Sequence, residues 1–124
     1  GSGTFASPAG ACTFSSKCAG ASTATFSVSA SYARGATKPT ATFTFSAAGI
    51  SFTATSFNWY MVTEGVGILD GSGKLNGVSG YRFEVFSVDG TPDKILVNIV
   101  DSNGNSVYYN NDYTSLKTGS IVMR

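Results

Sequence analysis

Asp89, Asp93 and Asp101 stand close together and form the densest run of acid in the chain. Carboxylates grouped in this way, joined by backbone carbonyls, are the hard oxygen ligands that Ca²⁺ takes. A Ca²⁺ site at a sheet edge is therefore one expectation. The competing reading is ordinary turn chemistry, because Asp bonds its own backbone in turns. The run Asp101-Ser102-Asn103-Gly104-Asn105 also imitates the opening of an EF-hand loop and places Asp112 at its last ligand position. Ser106 stands where that loop needs glycine, Asp stands where it needs a bidentate Glu, and the flanks read as strands. The EF-hand reading is rejected.

A second group is aromatic. Trp59, Tyr60, Tyr108, Tyr109 and Tyr113 offer flat faces to sugar rings, and Asn110, Asn111 and Asp112 offer hydrogen bonds to hydroxyls. Neighbours along a strand point to opposite faces, so one residue of Trp59/Tyr60 and one of Tyr108/Tyr109 is expected outside. The competing reading is that both pairs pack. Glu64, Asp70, Glu84 and Asp89 are the carboxylates from which a glycosidase pair would be drawn. Short strands with short connections leave little room for a deep cleft, so no enzyme is expected.

Composition removes further classes. The chain has no His, which excludes imidazole general bases, Ser-His-Asp and Cys-His nucleophiles and imidazole metal sites. Eight basic against seven acidic residues leave a net charge of +1, no reason to expect a nucleic acid partner. No run approaches the ~18 apolar residues of a membrane-spanning helix, so no membrane insertion is expected. Thr-x-Thr pairs such as Thr53/Thr55 suit the solvent face of a twisted sheet better than a flat ice-binding face. Cys12 and Cys18 are not spaced as a C-x-x-C redox pair, and Cys and His cannot supply the four ligands of a zinc site. They are expected to form a small structural disulfide, which implies an oxidising compartment and an extracellular or cell-surface location.

The elements that must position these groups read as strands throughout. Phe26, Val28, Ala30 and Tyr32 alternate with Ser27, Ser29 and Ser31, and Ala41, Phe43, Phe45 and Ala47 alternate with Thr42, Thr44 and Ser46. Ile50, Phe52 and Ala54 follow the same period. Phe57 to Val62 is rich in large side chains and is expected to be covered on both faces. Val66 and Ile68 mark a Gly-rich strand, Asp70-Gly71-Ser72-Gly73 reads as a turn, and Lys74 to Gly77 as renewed extended chain. Phe83 with Val85, and Ile95 with Val97 and Ile99, define two more inward faces. Asn103-Gly104 is a hairpin signal before Val107 to Tyr109, and Ser120 to Met123 reads as a last strand. About eight or nine strands with regular turn signals predict an all-β fold, an antiparallel β-sandwich of jelly-roll-like type. Gly, Ser, Thr and Ala make up 60 of the 124 residues, so the Phe and Tyr must supply the bulk of the core. Gly1-Ser2-Gly3 reads as a cloning remnant, leaving residues 4–124 as a single domain.

Four stretches, in order, carry a family resemblance. They are Ser7-Pro8-Ala9-Gly10-Ala11, the run Ser31 to Thr40 with Ala33-Arg34-Gly35 and Lys38-Pro39, Phe57-Asn58-Trp59-Tyr60-Met61-Val62 followed by Gly71 to Gly77, and Asp89-Gly90 with Asp93-Lys94 and Val107-Tyr108-Tyr109-Asn110. The chain resembles the post-COAP type domain, a module of large secreted or surface proteins. It departs from that pattern at Cys12, where an aromatic is usual, at Val100, where Trp is usual, and at Asn58, where Asp is usual. The resemblance implies an extracellular accessory domain and supplies no reaction. The functional expectation is a non-catalytic module for adhesion that binds a glycan or a matrix or surface protein, through Trp59, Tyr60, Tyr108, Tyr109 and Asn110. Its rival is a structural spacer or assembly domain without a ligand of its own.

Overall fold

Alternation of hydroxyl-bearing and apolar residues resolves into nine strands in the computed structural model, which describes residues 1–124 except 15–17, 19, 33, 48, 111–112 and 122–124. They are β1 (Ser2–Ser7), β2 (Ser22–Ser31), β3 (Thr40–Ala47), β4 (Ile50–Thr63), β5 (Val66–Leu75), β6 (Val78–Val88), β7 (Lys94–Val100), β8 (Ser106–Tyr109) and β9 (Thr114–Ser120). Every pairing is antiparallel. From β1 to β7 each strand pairs with the next, and β7 offers its second edge to β8 near Val100 and to β9 near Lys94. Strand β9 returns to pair with β1, so the single sheet closes on itself and loses its open edges.

The expected all-β, antiparallel, sandwich-like architecture is what the chain adopts. Its connections are those of a next-neighbour meander, where a jelly roll would cross between sheets. The sandwich character lies in the core. Strands β3 and β6 are not neighbours, yet the Phe43 and Phe83 rings lie 4.9 Å apart, and Phe45 of β3 meets Tyr108 of β8 at 4.6 Å. The two halves of the closed sheet thus pack face to face. Phe5, Phe26, Phe43, Phe45, Phe52 and Phe83 are all buried there. Aromatic pairs at such distances add to the simple burial of area.

Several local expectations are corrected. The turn expected at Asp70-Gly71-Ser72-Gly73 lies inside β5, where Gly71 and Gly73 are buried and paired on both sides. The tight turn comes later, at Asn76-Gly77, whose φ angles of 50° and 83° are those of a two-residue hairpin joining Leu75 to Val78. The inward side chains of β5 are Leu69 and Leu75, while Val66 and Ile68 lie on the outer face. Phe57 to Val62 is not covered on both faces: Phe57 and Tyr60 are half-buried, and Trp59, Met61 and Val62 are exposed. The last described strand is β9, ending at Ser120, and Met123 lies outside the described residues. Ser2 and Gly3, set aside in the sequence, belong to β1 and pair with both β2 and β9. The Asn103-Gly104 hairpin does form between β7 and β8. Asp101 Oδ1 accepts the Asn103 and Asn105 amides at 2.9 and 3.0 Å and so holds the turn.

Cys12 and Cys18 form a disulfide. The segment beside it pairs with β8, for Thr13 N–H donates to Val107 O and Tyr109 N–H to Ala11 O, each at 2.9 Å. Reduction is expected to cost about 2 kcal/mol, because a small loop is released in the unfolded chain. For a chain of this size that is a fall of about 6–10 °C in Tm, to be read by calorimetry with and without reductant under reversible conditions. An unchanged Tm would show that β8 holds this segment without the bridge.

Candidate functional site

Register assembles a site on the outer face of β4 to β8. Residues directly opposite on antiparallel strands share a face. Trp59 pairs with Asp70, Asp70 with Glu84, Glu84 with Asn98, and Asn98 with Tyr109. Their sequence neighbours Leu69, Phe83, Val85, Val97 and Tyr108 are buried, so this row faces out. It runs roughly 19 Å across the sheet at about 4.8 Å per strand. Trp59 and Tyr109, 36% and 39% exposed, stand at its two ends.

Between the aromatics lies a polar depression of about 150 Å³ lined by Asn58, Asp70, Arg82, Glu84 and Asn98. Asn58 reaches it because β4 slips register on both sides of Phe57. Its Nδ2 donates to Asp70 Oδ1 at 2.8 Å. The outward row nearer the β4–β5 hairpin is apolar, with Met61, Ile68, Phe86 and Leu96 in register, and the Tyr113 ring stands edge-on to Phe86.

The two central carboxylates repel one another. Burial first, and then the charge of Asp70, push the Glu84 pKa above the usual carboxylate range. The folded chain therefore binds a proton more tightly at Glu84 than the unfolded chain does. Stability falls as pH climbs from the ordinary carboxylate range through that raised value. Glu84→Gln removes this penalty. Thermal melts at about pH 3 and about pH 7 should show no advantage for the variant at the lower pH and a higher Tm at the upper one. A pH-independent difference would refute the assignment.

The residues singled out in the sequence separate cleanly. Trp59 and Tyr109 join the row. Tyr60 points the other way, into one end of the barrel interior, and its backbone N–H donates to the Tyr32 hydroxyl at 2.8 Å. Tyr108 is 0% exposed, and its hydroxyl shares a buried 2.8 Å hydrogen bond with Ser7 Oγ, so it is core and not a ligand contact. Asn110 is 3% exposed and likewise structural. Its Oδ1 accepts the Val97 amide at 2.8 Å, and its Nδ2 donates to Ile95 O and Thr114 Oγ1 at 3.1 and 3.0 Å. Asn111 and Asp112 lie outside the described residues.

The Asp89, Asp93 and Asp101 cluster does not converge. Among the described residues no three His, Cys, Asp or Glu side chains come together in a way that holds a metal ion. Asp93 spends its carboxylate on Ile121 N–H at 2.8 Å and Gly90 N–H at 2.9 Å, two bonds that hold its pKa below the usual range. Asp101 serves its own turn. The depression at Asp70 and Glu84 is what sequence reasoning missed. Both residues stood out as carboxylates, but only the β5–β6 register sets them face to face beside Asn98.

The disulfide fits an oxidising compartment. No helix of the described residues is long and apolar enough to cross a membrane. Searches with protein-family models, against curated proteins and against solved structures match nothing to this chain.

Proposed function

We propose that the chain is a non-catalytic, extracellular binding module of a larger secreted or cell-surface protein, and that the outer face of β4 to β8 grips a glycan. The observation that carries this reading is the row from Trp59 to Tyr109, with Asp70, Glu84 and Asn98 between. Exposed aromatic rings stack on the C–H faces of sugars, while fixed carboxylates and amides take the hydroxyls and set orientation. The row has the length of a short oligosaccharide. Two carboxylates at its centre oppose acidic sugars, so neutral glycans fit best. The post-COAP-type resemblance points to the same accessory role.

A glycan array probed with the whole chain tests this. The expected result is binding to neutral glycans that weakens at least tenfold in Trp59→Ala and in Tyr109→Ala, with melts showing both variants folded. Such losses are what removal of an aromatic anchor produces. A blank array across neutral and acidic glycans would overturn the proposal and favour the spacer reading.

A further inference from the structure

The interior of the closed sheet is filled unevenly. One end carries the six buried Phe rings. Toward the other end the inward positions shrink. On β2 the inward face passes from Phe26 to Val28 and Ala30, and on β3 from Phe43 to Ala41. On β5 it passes from Leu69 to Gly67, and on β6 from Phe83 through Val85 to Ser87. The result is a cavity of about 400 Å³ whose wall includes Val28, Ala30, Tyr60, Leu69, Val85 and Ser87. These are inward residues of β2, β4, β5 and β6, so the space is the end of the barrel interior, and Gly1, Ser29 and Ile121 complete its wall where it opens to the surface. Barrels of about eight strands are either just filled by side chains or left wide enough for one small ligand. The Phe-filled end is the first case, and the Gly- and Ala-lined end is the second.

We infer that this end of the barrel binds one compact, uncharged, largely apolar small molecule with a single hydrogen-bonding group. Size follows from volume: an apolar cavity of about 150 Å³ admits benzene, so about 400 Å³ has room for two or three fused or linked rings. No lining side chain is ionic, and the one charged group at the wall, the Gly1 ammonium, donates to Val28 O at 2.6 Å, so a cation is opposed and an uncharged molecule fits the otherwise uncharged wall. The hydrogen-bonding group follows from the hydroxyl residues at the wall, the half-buried Tyr60 and the buried Ser87, while the third, Ser29, already pairs its Oγ with Thr42 Oγ1 at 2.8 Å. Burial also pushes the Tyr60 pKa up, which keeps that phenol protonated as a donor.

The test uses N-phenyl-1-naphthylamine, an uncharged fluorophore of matching size with one N–H, added to the whole chain. Its emission should rise to saturation at one probe per chain. Ala30→Leu fills the cavity and should weaken that binding at least tenfold, while Met61→Ser, on the outer apolar row, should leave it unchanged. No rise in emission, a rise untouched by Ala30→Leu, or a rise removed by Met61→Ser would each overturn the inference. Should Ala30→Leu not fold, the methyl resonances of Val28, Leu69 and Val85 in the unaltered chain decide. They must shift in step with bound probe, and resonances that stay fixed while emission rises would overturn the inference as well.

Discussion

Replacing Asn110 with alanine is expected to cost about 3–4 kcal/mol, read as a lower urea midpoint at an unchanged slope. The reason is the gap along the second edge of β7. Strand β8 covers that edge at Asn98 to Val100 and β9 at Lys94 and Ile95. Where the chain leaves β8 and before it enters β9, the Asn110 carboxamide stands in for a peptide group. It accepts from Val97 N–H and donates to Ile95 O. Alanine would strand both groups in a dry core, and each orphan costs about 1–3 kcal/mol. Against a total stability of about 5–15 kcal/mol this is a large fraction. Asn110→Asp keeps the acceptor but turns an oxygen toward Ile95 O, so it should recover none of the loss at neutral pH. A loss under about 1 kcal/mol for the alanine variant would mean that water satisfies the freed groups.

Gly73→Ala should be at least as damaging, at about 3 kcal/mol or more, since overpacking that backbone cannot relieve exceeds the usual cost of an added methyl. A Cβ at Gly73 would meet the Thr53 carbonyl oxygen, with Ala54 Cα at 2.8 Å and the Phe52 ring at 2.9 Å. Two of those obstacles are backbone of the neighbouring strand. Gly71 is similar: a Cβ there would meet Ser56 O and come within 2.9 Å of the Phe83 ring. Each glycine leaves room for an aromatic ring where a side chain would stand. Gly77→Ala is the control. Its Cβ would meet nothing within 4 Å, and only its φ of +83° opposes substitution. That strain costs about 1–2 kcal/mol. Equal losses at Gly73 and Gly77, measured by the same urea titration, would refute the packing argument.

These glycines also show why part of the chain was misread. In isolation Asp70-Gly71-Ser72-Gly73 has the composition of a turn. What keeps it extended is close approach by β4 and by rings from β4 and β6, none of which is local. The aromatic pairs behaved in the opposite way. Alternation along a strand already required one of Tyr108 and Tyr109 to face in, but not which one. Pairing of β8 with β7 and packing on Phe45 chose Tyr108. Asn110 had the chemistry of a sugar ligand, and the edge of β7 claimed it instead.

Period-two alternation, turn residues and the Cys spacing were enough to determine an all-β antiparallel fold, most inward faces and the disulfide. These depend on contacts within a strand or across one short loop, where side-chain direction follows from chain geometry alone. The closure of β9 onto β1, the row from Trp59 to Tyr109 and the half-empty barrel interior were decided only by tertiary structure. Each depends on the register between strands distant in sequence, and that register is chosen by how the whole core packs.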